Sequence, residues 1–298
     1  MSFYLTLAFI LWTTVGCQSS PSTLVHNSKH NNLQLSIHGH RGSRGTHPEN
    51  TIAALSEAAN ADITFLELDL TLSKEGIPVL SHEPVISADL CLDSNKKPLL
   101  KIIPVRSLTL KQIKSFDCGS VPNPQFPEQQ SVPNSSIPTL EEVLVWLKQT
   151  QNNTVHLNIE TKMIPAKQTL ELPPKAFTGS VINLLKKYGM IERSVLQSFD
   201  FRTLRWAKTL APHLRLSALF ASPSDICTTT KNLGANIASP QFSWLTSDMV
   251  KECHALGIEV HPYTLNDETD WNRALQLGVD GIITDYPRKL KQYLLSKS

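Results

Sequence analysis

From residue 33 to the C-terminus, short β-rich runs alternate with amphipathic stretches eight times over. Strand candidates fall at 33–38, 64–72, 155–160, 194–199, 215–220, 236–239, 259–264 and 281–284. Helix candidates fall at 50–59, 140–148 and 176–188, behind Asp200, at 225–233, 246–256 and 268–277, and in a basic C-terminal segment. Thr139-Leu-Glu-Glu142 is a capping-box pattern that opens one helix, and Gly189 closes the next. Strands and helices alternating at this size predict the α/β class and a (β/α)8 TIM barrel. An open doubly wound sheet would bring a Gly-rich dinucleotide loop after its first strand. Here Gly39, Gly42 and Gly45 are spaced G-x-x-G-x-x-G without an acidic ribose-binding residue, so the barrel is the stronger reading.

Residues 84–138 break the rhythm, with eight prolines between Pro84 and Pro138 and few sustained periodic runs. They read as a segment inserted after the second βα unit, hanging over the barrel mouth. At 298 residues and 41% hydrophobic content, the chain can bury one large core or two smaller ones. Residues 35–298 are therefore expected to form the barrel domain. The formal net charge of +2 gives no basic field, so no nucleic-acid partner is expected.

The first sixteen residues carry no charged side chain and hold an apolar run from Phe3 that is too short to span a bilayer. They read as a signal peptide. Thr14-Val-Gly-Cys17 resembles a bacterial lipoprotein cleavage box, which makes Cys17 the candidate lipidation site and the membrane the partner of its anchor. A cleaved signal with an incidental Cys, or an uncleaved anchor, is the plainer alternative. Residues 17–34 are polar and read as a flexible tether, with His26 and His30 as solvated linker residues. The expected location is secreted: periplasmic, or anchored to an outer membrane. Four cysteines remain, and an even count in an oxidising compartment permits pairing. Cys91 and Cys118 share the irregular segment and are expected to form a disulfide, whereas Cys227 and Cys253 are expected to be free buried thiols.

Candidate chemistry gathers in the first two units. The run His38-Gly-His-Arg-Gly-Ser-Arg-Gly-Thr-His-Pro-Glu-Asn-Thr51 is followed by Glu67-Leu-Asp69 and then Ser81-His82. Glu67 and Asp69, two apart on a strand, point to one face, where like charges need a cation between them. Carboxylate oxygens suit Ca²⁺ or Mg²⁺. Glu160 ends the third strand and reaches the same rim. Glu49 is a further carboxylate in the first loop, with a salt bridge or a helix cap as its plainer roles. His40 and His82 each follow a strand and provide two imidazoles for acid and base work on a phosphodiester. Arg41 offers a planar fork for phosphate oxygens, unless an internal salt bridge holds it.

H-R-G-x-x-G-x-x-P-E-N-T from His40, E-x-D from Glu67 and a second His after a short apolar strand together resemble the signature of the glycerophosphodiester phosphodiesterases. The resemblance runs over roughly residues 36–290 and is most specific in its first third. It implies hydrolysis of a small glycerophosphodiester to sn-glycerol 3-phosphate and an alcohol, with one divalent cation, Ca²⁺ or Mg²⁺, on Glu67, Asp69 and Glu160 and with Glu49, the matching first-loop carboxylate, close to it. It also implies that His40 and His82 exchange acid and base roles while the glycerol 2-hydroxyl attacks phosphorus and water opens the cyclic product. Lys162 matches a family lysine that offsets charge on the phosphate. The periplasmic branch carries an insertion at the position of residues 84–138. Glu83 stands where the family has Asp after the second histidine, and Ser73-Lys-Glu-Gly76 where it has Thr-Lys-Asp-Gly. Gln197-Ser-Phe199 resembles a family strand motif with Ser198 near the site. Tyr263-Thr-Leu-Asn266 resembles W-T-V-N, with Tyr263 as an apolar wall for the glycerol. Residues 278–287 match the closing strand, with Asp285 in a structural role.

Three other readings stay open at this level. Relatives directed at lysophospholipids or sphingomyelin share the H…E-x-D…H core. A zinc-type hydrolase would use His38, His40 and Asp285 as ligands, but the middle strand ends supply no further His. A surface lipoprotein that binds without turnover would have no chemical need to keep both histidines and the carboxylates together.

Overall fold

The computed structural model describes Met1, Ser2, residues 35–163 and residues 173–297. Residues 3–34, which include most of the expected signal segment, Cys17 and the expected tether, lie outside the described residues. The strands are β1 (Ser36–Gly39), β2 (Phe65–Leu72), β3 (Pro78–Leu80), β4 (Val85–Ile86), β5 (Ile103–Pro104), β6 (His156–Thr161), β7 (Ser194–Ser198), β8 (Arg215–Phe220), β9 (Ile237–Pro240), β10 (Glu259–Val260) and β11 (Gly281–Thr284). Eight of them run parallel in the order β10-β9-β8-β7-β6-β2-β1-β11. The barrel closes through backbone bonds from Asp280 N–H to Val260 O (3.0 Å), Ile283 N–H to Pro262 O (3.1 Å) and Leu265 N–H to Ile283 O (3.0 Å). The strand expected at 259–264 is regular only at Glu259–Val260. Pro262 lacks the N–H that a continuous ladder requires.

The helices are α1 (Ile52–Ala59), α2 (Leu110–Ile113), α3 (Leu140–Gln149), α4 (Pro174–Lys187), α5 (Phe201–Leu210), α6 (Ile226–Asn232), α7 (Ser247–Ala255), α8 (Glu268–Leu277) and α9 (Pro287–Lys297). The Thr139–Glu142 capping box forms at the start of α3, with both of its reciprocal hydrogen bonds. Helix α1 begins later than the expected residue 50, because the Thr51 hydroxyl accepts from Ala54 N–H and fixes the cap there.

Strand β2 is buried along its whole length, so both of its faces must be filled. Leu66, Leu68, Leu70 and Leu72 join the shell between barrel and helices. The alternate residues Phe65, Glu67 and Asp69 point into the barrel. Phe65, Val195 and Ile237, from alternate barrel strands, form an apolar floor. His38 stacks on Phe65 with ring centroids 4.3 Å apart, which makes it an inward packing residue. Above that floor the interior turns polar, with the Asn158 amide against His38 (3.2 Å) and the Ser217 and Ser239 hydroxyls paired at 2.8 Å.

The inserted segment follows the β2–β3 hairpin and precedes α3. It pairs β4 with β5 and encloses a small core of Val79, Ile86, Val105, Ile113, Phe116 and Ile137. The expected Cys91–Cys118 disulfide staples this core. Asp117 beside it is buried and accepts from the amides of Gly119, Ser120 and Asn134, from the Ser120 hydroxyl and from Lys96 (2.9 Å). These partners hold its carboxyl below the ordinary carboxylate range, against the opposing effect of burial. Its stabilising contribution is complete above the unfolded value of about 3.9 and is lost as pH falls below that. Asp117→Asn is expected to cost about 1–3 kcal/mol in urea unfolding at pH 7, with the gap to the parent narrowing towards pH 3. A pH-independent gap would refute the charge argument.

One expectation is overturned. Cys227 on α6 and Cys253 on α7 are not free thiols but form a disulfide. Their separation of 26 residues is about one strand–helix unit, which returns the chain to the neighbouring outer helix.

Candidate active site

The site lies at the C-terminal rim of the strands, where barrel enzymes assemble their chemistry. Register sets its base. Asp69 on β2 lies opposite Glu160 on β6, and Glu160 in turn lies opposite Gln197 on β7. Glu67, one inward position before Asp69, completes a buried trio whose ligand oxygens all lie within 4.8 Å of one another.

The loop from β1 to α1 wraps this trio. Gly42 has φ +85°, and a side chain there would run into the backbone of Ala54 and Leu55 at 2.5–2.7 Å, so the H-R-G turn can sit tight on α1 only with glycine. Arg41 N–H donates to Glu67 Oε2 (2.7 Å), and Gln197 donates to Glu67 Oε1 (2.9 Å). Asn50, at φ 54°, clamps Asp69 twice, with its amide on Oδ2 (2.9 Å) and its carbonyl on the Asp69 N–H (3.1 Å). Asp69 Oδ1 is buried with no hydrogen-bond partner, although Lys162 lies 3.6 Å away. Lys162 reaches Glu160 at 2.7 Å.

Electrostatics distinguish the three acids. Burial, reinforced by Asp69 and Glu160, pushes the Glu67 carboxyl well above its usual value. Burial likewise raises Glu160, with Asp69 adding to it and Lys162 opposing. Asp69 is also penalised by burial, but Lys162 and Arg41 outweigh that and keep it low. Three buried carboxylates of which two resist charging form a site short of positive charge. An all-oxygen trio with an orphaned Asp69 oxygen fits a hard divalent cation.

His40 directly follows β1. Its Nδ1 lies 2.7 Å from Asp285 Oδ1, which fixes that nitrogen as the donor and leaves Nε2 towards the site. Asp285 is itself held by Arg44 Nε (2.8 Å) and by the Asn266 amide (2.7 Å). Asp285, expected in a structural role, thus holds His40 directly. Burial lowers the His40 pKa, and Asp285 works against that shift. His82, after β3, bonds Glu83 at 2.9 Å through Nδ1, so the longer Glu reaches its imidazole. Burial, helped by Arg41 and Lys162 and opposed by Asp69, pushes His82 down to about 3.

A cavity of 230 Å³ is lined by both histidines, Glu67, Glu160, Lys162 and Tyr263. Tyr263 bonds Phe220 O through its hydroxyl (3.1 Å), meets Phe199 edge to face and lines the cavity beside it. Glu49 binds Arg41 at 2.7 Å and stands outside the trio. The Arg41 fork is thereby engaged by Glu49 and Asp69 (3.3 Å). His38 lies on Phe65 and His40 on Asp285, an arrangement that does not bring them to one zinc ion. The Q-S-F motif contributes Gln197, whereas Ser198 points the other way onto Thr161 O (3.1 Å). Arg44 and Asn50 lie in the first-loop motif and Gln197 in the Q-S-F motif, yet their roles depend on long-range partners.

The sequence profile of the glycerophosphoryl diester phosphodiesterase family matches residues 40–289. The chain belongs to that family. A glycerophosphodiester phosphodiesterase of Bacillus subtilis (strain 168) is 30% identical over 83% of this chain and 82% of its own length. A solved structure from Silicibacter pomeroyi DSS-3, described as a candidate phosphodiesterase of this family, superposes with TM-score 0.83 at 27% identity, covering 88% of this chain and 94% of that one. An Oleispira antarctica phosphodiesterase, solved with its product sn-glycerol-3-phosphate, matches with TM-score 0.72 at 25% identity, covering 87% and 96%. The matched span covers the positions of His40, both E-x-D carboxylates, His82 and Glu160.

Proposed function

We propose that this family member hydrolyses glycerophosphodiesters to sn-glycerol 3-phosphate and an alcohol, with His40 and His82 as its proton-transfer pair. The observation that carries the reading is the rim itself, where two imidazoles and a lysine face one small cavity above a buried acidic trio. Glu67, Asp69 and Glu160 would hold the cation, Ca²⁺ or Mg²⁺, and its charge would supply Lewis-acid polarisation of a phosphate oxygen. The protein's own groups do the rest. One imidazole takes the proton of the attacking glycerol 2-hydroxyl while the other protonates the leaving alkoxide, and the two exchange roles as water opens the cyclic phosphate to glycerol 3-phosphate. Lys162, beside Asp69 and Glu160, offsets negative charge gathering on the phosphate. Tyr263 and Phe199 give the glycerol carbons an apolar surface.

The same reading includes export, with residues 1–16 removed and Cys17 carrying a lipid. Two disulfides support an oxidising compartment. The test of the reaction is release of glycerol 3-phosphate from glycerophosphocholine in EDTA, and again after Ca²⁺ or Mg²⁺ is restored. Release that returns with the cation is expected. Turnover of a lysophospholipid alone would move the substrate class, and no turnover of either would leave a binding barrel.

A further inference from the structure

Residues 123–130 of the inserted segment turn back onto the loop that follows β1. Phe126 N–H on Asn123 O (2.9 Å), Gln129 N–H on Phe126 O (2.9 Å) and Asn123 N–H on Gln129 Oε1 (2.9 Å) close this turn. The Gln129 amide then donates to two carbonyls of the loop, Arg44 O (2.8 Å) and His47 O (3.1 Å). Gln130 N–H adds a bond to Thr46 O (2.8 Å). Phe126 is buried, yet it does not belong to the segment's own apolar core. The Arg44 guanidinium lies over its ring, 4.7 Å from the centroid, and Tyr286 meets the ring edge to face.

Arg44 is the link to the chemistry. It occupies an unspecified position of the H-R-G-x-x-G pattern and spans the Asp285 carboxylate, with Nε on Oδ1 (2.8 Å) and Nη2 on Oδ2 (3.0 Å). Asp285 Oδ1 also meets His40 Nδ1 at 2.7 Å, so Arg44 sets the position of the carboxylate that orients His40. A second acid competes for Arg44, because Glu49 Oε2 lies 3.9 Å from its Nη1. A long side chain between two acids needs a further contact to hold it on one of them. The aromatic face supplies that contact. A guanidinium stacked on a ring is shielded on its face while its edge N–H groups remain available to the carboxylate. The Gln129 bonds fix the backbone from which the Arg44 side chain starts.

We propose that Phe126 and Gln129 are positioning residues for His40, acting through Arg44 and Asp285, which makes the inserted segment part of the catalytic assembly. The proposal rests on His40 transferring protons in the hydrolysis set out above, and two readouts on the full chain keep the two ideas apart. In the first, with isotopically labelled histidine and no substrate, the His40 Nδ1 proton bonded to Asp285 is expected as a low-field resonance. Its absence in His40→Ala assigns it. Phe126→Leu removes the ring and Gln129→Met removes the donors, and each should move that resonance upfield or broaden it, whereas Phe126→Tyr should keep it. In the second, on glycerophosphocholine, the first two variants should lose about ten- to a hundredfold in kcat with KM changed by no more than about twofold. Phe126→Leu should cost nothing further in an Arg44→Met background. An imidazole resonance unchanged in both variants, or an undiminished loss from Phe126→Leu without Arg44, would overturn the proposal. A parent that shows the resonance but turns over no phosphodiester would overturn the hydrolytic reading instead, and the spectra would still decide the positioning.

Discussion

His40→Ala is expected to lower kcat/KM for a glycerophosphodiester by about 10³-fold or more, and Asp285→Asn by about 10²–10⁴-fold. The second figure follows from the 2.7 Å bond between Asp285 and His40 Nδ1. An amide in place of the carboxylate can present its own N–H to that nitrogen, which selects the wrong tautomer and turns the site-facing nitrogen from acceptor to donor. Burial already disfavours protonated His40, so the loss of Asp285 also removes what favours its charged form during turnover. Because the two residues act as one unit, the double variant should be no slower than His40→Ala alone. Steady-state rates of the three variants, with circular dichroism to verify folding, decide the matter. Multiplying losses, or near-normal turnover by either single variant, would show that the pair does not work together.

Glu67→Gln should separate stability from function. In cation-free buffer the buried Glu67 carboxyl is already driven towards its neutral form by burial and by Asp69 and Glu160. A neutral amide of the same shape relieves that repulsion, and its carbonyl oxygen can still accept from either Gln197 or the Arg41 N–H. The melting temperature without cation is therefore expected to stay level or rise. The parent should gain about 2.7 kcal/mol when the cation is supplied at a hundred times its dissociation constant. Glu67→Gln should lose most of that gain, along with about 10³-fold in turnover. A variant that keeps the full cation-induced shift would place the ion elsewhere.

The barrel was legible because its signal is periodic and local, with alternating runs, a capping box at Thr139 and β2 written as an alternation of leucines with other residues. Glu67 and Asp69 could be placed on one face by spacing alone. Their convergence with Glu160 then depends on the β2–β6 register, which pairs Asp69 with Glu160. What was not legible is any role set by a partner far along the chain. Asp285 reaches His40 across 245 positions, and Gln197 reaches Glu67 across 130. The Cys227–Cys253 bridge was missed for the same reason, since free buried thiols and a bridge between neighbouring helices leave the same trace in one sequence.

Glu67 rests on Gln197, Gln197 on Asn158, Asn158 on His38, and His38 on Phe65 of the apolar floor. Each link is buried, so a displaced side chain must be accommodated by its neighbour. A change in the size of Phe65 would therefore be felt at the rim, several residues higher in the barrel. In evolutionary terms, the floor and the rim are not free to drift separately. New specificities in this chain should be sought in its surface loops, because the pillar beneath the chemistry transmits every adjustment upward.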